Sequence, residues 1–242
     1  MHSFFHTIAH HCSAIAIILI LFVTSIDLNC FNVNFYAQQY QQLNTASRLY
    51  LSEDDLMKAT NVLLDYLRTE SDSCDVMITQ YGEVQEAFNE KEKTHMIDVR
   101  NLYEFALNLR LVSFVVLVCS LAYLWIYDKK IPFFSLSSAF VKISVLFMLF
   151  FAFLGLWAYV DFNAFWTMFH EVCFTNDLWL LNPATDLMIN LFPSALFSAL
   201  VFKILFWFLL PFVALFIAAI IYMKRKIKGG PTYEVDSSKS IA

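Results

Sequence analysis

Four segments of this chain are apolar and long enough to cross a lipid bilayer as helices, and they constrain the fold more than any other feature. The apolar runs occupy 8–28, 102–127, 133–160 and 194–223. A helix needs about 20 apolar residues to span the hydrocarbon core, and it satisfies its backbone hydrogen bonds internally, as lipid requires. The sequence therefore predicts an all-α membrane protein with four transmembrane helices, the first formed by residues 1–28.

The composition supports this class. Hydrophobic residues make up 59% and charged residues 15% of the 242-residue chain, whereas soluble domains contain about 45–50% apolar residues. Five cysteines are scattered along the chain without a C-x-x-C pair, so neither a disulfide framework nor a zinc motif is predicted.

The lysine and arginine residues indicate the orientation, because these residues are enriched in cytoplasmic loops. The turn 128–132 contains two lysines, and the tail 224–242 begins with the basic cluster KRKIK. No lysine or arginine lies between Lys142 and Lys203. We therefore expect the turn and both termini to be cytoplasmic. The two extracytoplasmic segments are then 29–101 and 161–193.

The segment 29–101 is predicted to form a mainly helical extracytoplasmic cap. Ser52 is suited to cap a helix whose first turn is acidic and whose leucines form one apolar stripe. A later stretch is compatible with a short hairpin that turns at Tyr81 and Gly82.

The end of the cap is predicted to be continuous with the second transmembrane helix. Asn89 followed by Glu92 is the pattern of a capping box. No helix breaker follows before 102–127, so we expect His95 to lie on a rigid helix, a turn or two above the bilayer.

The segment 161–193 is predicted to be an amphipathic loop at the membrane surface, with its aromatic face towards lipid. A second, short helix is expected from Asn182 as N-cap, through Pro183 at the first helical position, to Pro193. The aromatic residues that recur at helical spacing are Phe162, Phe165, Trp166 and Phe169.

The chain contains six histidines, of which two are candidates for a functional pair. His95 and His170 each lie in an extracytoplasmic segment, on a predicted helix, near the carboxylates Asp98 and Glu171. Both also fit an ordinary role as hydrogen-bonded histidines at the membrane interface. The other four, in the first helix, are expected at the depth of the cytoplasmic headgroups. These are His2, His6, His10 and His11.

Three basic residues lie inside predicted transmembrane segments, where charges usually face a protein interior or a polar cavity. Arg110 and Lys203 are placed to line one cationic pocket below the two histidines, or to extend towards headgroups. Lys142 lies nearer the cytoplasmic face, where extension to headgroups suits it best.

Several classes of function have no support in the sequence. It contains no G-x-S-x-G, P-loop, H-E-x-x-H or Rossmann pattern, and no basic stripe that predicts a nucleic-acid partner. Four continuous helices also differ from the broken helices that are common in transporters.

Two blocks of the chain resemble the signature blocks of the lipoprotein intramolecular transacylases (Lit) of Gram-positive bacteria. The blocks are FNEKEKTHMIDVR and FNAFWTMFHEVCFTNDLWLLNPATDLMINLFP. The resemblance covers essentially the whole chain, with four spans, a cap after the first span and both blocks in order. In the family pattern an aspartate often precedes the proline where this chain has Asn182, so that residue receives no acid role.

The resemblance implies a reaction. Family members move the sn-2 acyl chain of a diacylglyceryl-cysteine lipoprotein from the glyceryl oxygen to the α-amino group of the same cysteine, giving the lyso form. It also implies a bacterial cytoplasmic membrane, an active site on its extracytoplasmic face, and a lipoprotein substrate among membrane lipids. Ester-to-amide transfer is energetically downhill, so no cofactor or metal is expected.

His95 and His170 suit the demands of this reaction. An α-amino group has a pKa of about 7.7–8.0 and needs a base, and the eight-membered cyclic intermediate needs both reacting groups held together. One histidine removes the amine proton and the other protonates the leaving oxygen, in either assignment; in a variant, one histidine carries the acyl chain. The weaker candidates are Asp98 and Glu171 as orienting carboxylates, and Arg110, Asn176 and Trp179 as groups that hold the oxyanion or the lipid.

Two other functions remain open from the sequence. A non-enzymatic lipoprotein-binding or assembly factor would use the histidines only structurally. A metal-dependent hydrolase would transfer the acyl group to water. Its ligands would come from His95, Asp98, His170, Glu171 and Asp186.

Overall fold

The fold is taken from a computed structural model that describes residues 2–228. Four of its helices, α1, α5, α6 and α9, are long and apolar enough to cross a membrane, which confirms the predicted all-α fold with four transmembrane helices. Of the predicted tail 224–242, residues 229–242 lie outside the described part. The elements are α1 (His2–Cys30), α2 (Val33–Gln42), α3 (Thr45–Leu49), α4 (Glu53–Leu67), β1 (Met77–Gln80), β2 (Glu83–Glu86), α5 (Glu90–Asp128), α6 (Phe133–Val160), α7 (Phe162–Cys173), α8 (Met188–Leu191) and α9 (Ser194–Lys228).

The helix α5 joins the cap to the membrane-spanning bundle without a break. It has 39 residues and is about 58 Å long, nearly twice the hydrocarbon thickness of about 30 Å. The predicted capping box starts it: Asn89 Oδ1 accepts the Glu92 backbone N–H at 3.0 Å, and Glu92 Oε2 accepts the Asn89 N–H at 2.8 Å. Because the apolar run begins only at residue 102, roughly the first three turns of α5 belong to the cap.

The cap contains the helix and the hairpin expected from its sequence. The Ser52 hydroxyl accepts the Asp55 N–H at 3.0 Å at the start of α4. The strands β1 and β2 are antiparallel. Tyr81 and Gly82 connect them with φ values of 54° and 83°, the left-handed conformation of a tight hairpin turn.

The core of the cap extends to the segment that precedes α9. Leu56 and Leu63 of α4 are each 1% exposed, as is Phe88 before α5. They belong to one hydrophobic cluster with Leu191 of α8 and Leu196 of α9. The segment 161–193 is thus packed into the cap and does not lie beside it.

Aromatic rings fill the contact between three of the long helices. Phe22 of α1 lies 5.0 Å from Phe151 of α6 and 5.4 Å from Phe208 of α9, measured between ring centroids. One polar contact joins α1 to α9, because the Ser25 hydroxyl donates to the carbonyl of Ile204 at 2.7 Å. Dispersion between packed rings and such hydrogen bonds hold helices together where lipid surrounds them.

The helix α7 forms as predicted, but its aromatic face is oriented differently. Asp161 ends α6 and caps α7, accepting the Ala164 N–H at 2.9 Å. Phe165 and Trp166 are half-buried, because they pack against Trp157 of α6 and Phe197 of α9 at centroid distances of 6.2 and 4.5 Å. The prediction that this face points towards lipid is therefore corrected: much of it faces the bundle.

The helix predicted from Pro183 to Pro193 is not formed. Residues 182–186 make a turn instead, in which the Asp186 carboxylate accepts the Asn182 backbone N–H at 2.7 Å. The side chain of Asn182 accepts the Ala184 N–H at 3.0 Å. Helical structure follows only in the single turn α8.

An ion pair joins α1 to α5 within the predicted transmembrane region. Arg110 Nη1 donates to Asp27 Oδ2 at 2.8 Å, and the Tyr103 hydroxyl donates to Asp27 Oδ1 at 2.7 Å. Both oxygens of the carboxylate are therefore occupied by donors from α5. A charged side chain in lipid is tolerated when it is paired in this way.

Replacement of Asp27 by asparagine should destabilise the fold by about 2 kcal/mol, because it leaves the Arg110 guanidinium without its anion. Thermal unfolding of the purified protein in lipid nanodiscs measures this. The double variant Asp27→Leu/Arg110→Leu should be more stable than Asp27→Asn, since it leaves no charge unpaired. A double variant that is the least stable of the three proteins would contradict the role assigned to the ion pair.

Candidate active site

The structure brings His95 and His170 together, although 74 residues separate them. His95 lies in the outer turns of α5, and His170 lies on the last turn of α7. Their ring centroids are 6.1 Å apart with an interplanar angle of 32°. Phe174 lies against both imidazoles, at 5.2 Å from His95 and 5.6 Å from His170.

His95 is buried, with 6% of its surface exposed. Within residues 4–228, its Nδ1 atom has no hydrogen-bond partner. Buried polar atoms in proteins are normally paired, and an unpaired one marks a position where a ligand or water is expected. This nitrogen is therefore available for a group that enters the site.

The tautomer of His170 is fixed by the backbone of its own helix. Its Nδ1 lies 2.7 Å from the carbonyl oxygen of Trp166, one turn earlier. Because a carbonyl oxygen only accepts, Nδ1 must carry the hydrogen, and the neutral ring has its lone pair on Nε2. This arrangement presents Nε2 as a base or a nucleophile.

Trp179 and Asn176 reach the site from the loop after α7. The Trp179 ring lies 5.0 Å from that of His170 at an angle of 32°. The Asn176 amide donates to Asp98 Oδ2 at 2.9 Å, so Asp98 binds this loop rather than a histidine nitrogen. Among the described residues, Asp98 makes its hydrogen bond to Asn176 and none to His95.

The other weaker candidates are not brought to the histidines. Glu171 is exposed and makes no hydrogen bond or ion pair with the described residues. The His170 Nδ1 is bound to a backbone carbonyl and not to this carboxylate. Arg110 is paired with Asp27. Lys203 lies over the ring of Phe35, at 4.6 Å from its centroid, and the shared cationic pocket predicted for Arg110 and Lys203 is not seen.

Two contact residues of the site were not predicted as site residues. Trp166 supplies the carbonyl at position i−4 from His170, and Phe174, the residue after α7, lies at i+4. Helical spacing identifies Trp166 as a neighbour of His170. The contact of Phe174 with His95 depends on tertiary packing and has no signal in the sequence.

Burial keeps both imidazoles neutral near pH 7. Desolvation lowers the pKa of His95 to about 4, with further lowering by His170 and Lys91 and an opposing effect from Asp98. Desolvation also lowers the pKa of His170, opposed by its hydrogen bond to Trp166. An imidazole with a lowered pKa remains a proton acceptor at neutral pH.

The ligand set of a metal-dependent hydrolase is not assembled. Among the described residues, no three histidine, cysteine, aspartate or glutamate side chains are grouped as metal ligands. Asp98 binds Asn176, and Asp186 accepts hydrogen bonds from Asn89 and Thr185.

The fold and the histidine pair define a multi-pass α-helical membrane protein with a site between its cap and its second outer segment. A family model described as lipoprotein intramolecular transacylase Lit matches residues 11–197, and the chain belongs to this family. The protein is therefore an integral membrane acyltransferase that acts on lipoproteins.

Solved structures of a relative show the same fold. The membrane integral lipoprotein intramolecular transacylase Lit from Bacillus cereus has 17% sequence identity and a TM-score of 0.71, with 92% of this chain and 97% of that chain covered. A form of the same protein with a histidine-to-alanine mutation matches with 16% identity and a TM-score of 0.68, covering 94% of this chain and 97% of that one. No curated protein sequence matches the chain.

The lowered pKa values make a prediction for titration. Histidine-selective NMR in nanodiscs should give a pKa of about 4 for His95, assigned from the signal lost in His95→Gln. Below pH 6.5 the unfolded chain binds this proton and the folded chain does not, so folding stability should fall from pH 6.5 to about 4. In the His95→Gln variant this part of the pH dependence should disappear. A His95 pKa at or above 6.5 would contradict the burial argument.

Proposed function

We propose that this protein moves the sn-2 acyl chain of a diacylglyceryl-cysteine lipoprotein from the glyceryl oxygen to the α-amino group of the same cysteine. The product is the lyso form, with an N-acyl group and an S-monoacylglyceryl group. The observation that carries the proposal is the contact between the imidazoles of His95 and His170 at 6.1 Å, in a member of this family. A base beside a neutral N–H donor suits a reaction that moves one proton between two substrate atoms and passes through an oxyanion.

His170 is the base in this proposal. Its Nδ1–H is held by the Trp166 carbonyl, so Nε2 has a lone pair for the substrate ammonium. An α-amino group with a pKa of about 7.7–8.0 is mostly protonated at neutral pH and is not a nucleophile in that form. Removal of its proton by Nε2 allows the nitrogen to attack the ester carbonyl.

The proton balance of the reaction fits two neutral imidazoles. The N–C bond forms, the C–O bond to glycerol breaks, the amine loses one proton and the glyceryl oxygen gains one. The proton that His170 takes is returned to the leaving oxygen. His95, neutral because its pKa is lowered to about 4, donates an N–H to the oxyanion of the eight-membered intermediate.

The location of the pair suits a lipid substrate. His95 lies seven residues before the apolar run of α5, about 10 Å along the helix axis. This height is at the outer edge of the headgroup region, which is about 5–8 Å thick on each side of the bilayer. With the orientation inferred from the positive residues, the site faces the extracytoplasmic surface of a Gram-positive cytoplasmic membrane, where the ester of a lipid-anchored cysteine lies.

Both histidines should be required for the transfer. In a host that makes diacylglyceryl lipoproteins and has no other N-acylation route, the wild-type chain should convert a reporter to the lyso form without change in mass. His95→Ala and His170→Ala should each lower conversion at least about 100-fold, because the first removes the oxyanion donor and the second removes the base. Tandem mass spectrometry of the amino-terminal peptide locates the acyl chain. His11→Ala is the matched control and should retain activity. His11 lies in the first half of α1, towards the end that is opposite to the cap.

Other outcomes would select another function. Unmodified reporter with well-expressed wild-type chain would contradict the proposal and favour a lipoprotein-binding factor. A product that has lost one acyl chain would show water as the acceptor, as in a hydrolase. An acyl group found on His170 after acid quenching would replace direct transfer by the acyl-imidazole route.

A further inference from the structure

Polar contacts fasten the loop between α7 and α8, residues 174–187, to the outer turns of α5. This α7–α8 loop is the segment that carries Trp179 to the ring of His170. Three contacts reach the loop itself, and a fourth reaches Met188, the first residue of α8. They are Asp98 with the Asn176 amide, Lys91 Nζ with the Leu180 carbonyl, the Asn89 amide with Asp186, and Glu92 with the Met188 backbone N–H.

Glu92 makes the most buried of these contacts, with 1% of its surface exposed. Its Oε1 accepts the Met188 N–H at 2.6 Å, and its Oε2 accepts the Asn89 N–H at 2.8 Å. Each carboxylate oxygen therefore binds a different chain segment. A carboxylate this deeply buried is stable only because strong donors, here backbone N–H groups and the start of a helix, replace water.

Asp186 is the second buried carboxylate, with 5% exposed. Its Oδ1 accepts the Asn89 amide at 2.9 Å and the Thr185 hydroxyl at 2.8 Å, and its Oδ2 accepts the Asn182 N–H at 2.7 Å. Asn89 thus connects the two carboxylates, because it also forms the capping box with Glu92.

These contacts fix the position of the catalytic pair. Glu92 lies one turn before His95 on α5, and the loop that it holds places Trp179 5.0 Å from the His170 ring and Phe174 against both imidazoles. A shift of the loop relative to α5 would change the separation of the two rings. Small errors in the position of reacting groups strongly reduce rates in intramolecular transfers.

We propose that Glu92 and Asp186 are positioning residues, two buried carboxylates that fasten the α7–α8 loop to α5 and so set the geometry of His95 and His170. This inference rests on the proposed transacylase function. It assigns no proton transfer to either carboxylate. It predicts loss of turnover without loss of the fold or of lipoprotein binding.

The variant Glu92→Gln tests it, because glutamine has the same size but only one accepting oxygen for two N–H donors. With the wild-type chain active on the reporter, kcat should fall at least about tenfold and KM should change less than about twofold. The NMR signal of 5-fluorotryptophan at Trp179, assigned with Trp179→Phe, should shift. Ser52→Ala is the matched control for a loss of helix capping, because it removes the cap of α4, away from this loop. The kcat and the Trp179 signal of this variant should stay at the wild-type values.

A wild-type kcat and Trp179 signal in Glu92→Gln would overturn the proposal and leave Glu92 as a helix cap only. If Glu92→Gln does not fold, the variant Asp186→Asn tests the proposal in its place, since it leaves the capping box of α5 intact. A lowered kcat in Asp186→Asn would support the proposal, and an unchanged kcat would refute it. The fluorine signal separates this inference from the transacylase function. A moved Trp179 signal in a protein without activity on the reporter would refute the function and keep the positioning role.

Discussion

Glu92 and the backbone N–H of Asn89 close the capping box that begins α5, and the position of this helix start determines much of the remaining structure. From there α5 continues without interruption through the predicted membrane segment. A helix that is rigid over this length transmits the position of the cap to the bundle. His95 occupies the second turn of α5 because the helix begins where it does. The Glu92 carboxylate that caps α5 also accepts the Met188 backbone N–H. One side chain therefore both begins α5 and attaches the segment 161–193 to it.

The electrostatics of the site follow from its apolar surroundings. Phe174 and Trp179 cover the two imidazoles, and desolvation is the main cause of the lowered pKa of each histidine. Charged side chains are present nearby, but they bind elsewhere: Asp98 binds Asn176, and Lys91 binds a backbone carbonyl. The pair is thereby kept neutral near pH 7, with an unprotonated nitrogen on each ring.

The local elements were predictable because they depend on residues close in sequence. The apolar runs, the Ser52 cap, the capping box at Asn89 and the hairpin turn at Gly82 each reflect interactions within a few residues. The helix expected after Pro183 was wrong because its local signal fits a single capped turn equally well: the Asn182 side chain accepts the Ala184 N–H, but helical structure resumes only at α8. The contact of His95 with His170 depends on how α5 packs against α7 and its loop, and sequence spacing does not encode it. The same holds for the pairing of Arg110 with Asp27, which joins α5 to α1.

The proposed chemistry explains why this site needs little beyond two histidines and precise placement. Amine and ester belong to one substrate molecule, so there is no second substrate to bind, and ester-to-amide transfer needs no energy source. What opposes the reaction is closure of an eight-membered ring, an entropic barrier that fixed geometry lowers. The rings of Phe174 and Trp179 lie 5.6 and 5.0 Å from the His170 ring. In the proposed reaction, attachment of the loop that carries these rings would hold the base in one geometry relative to the ester, and this fixed geometry is what lowers the entropic barrier.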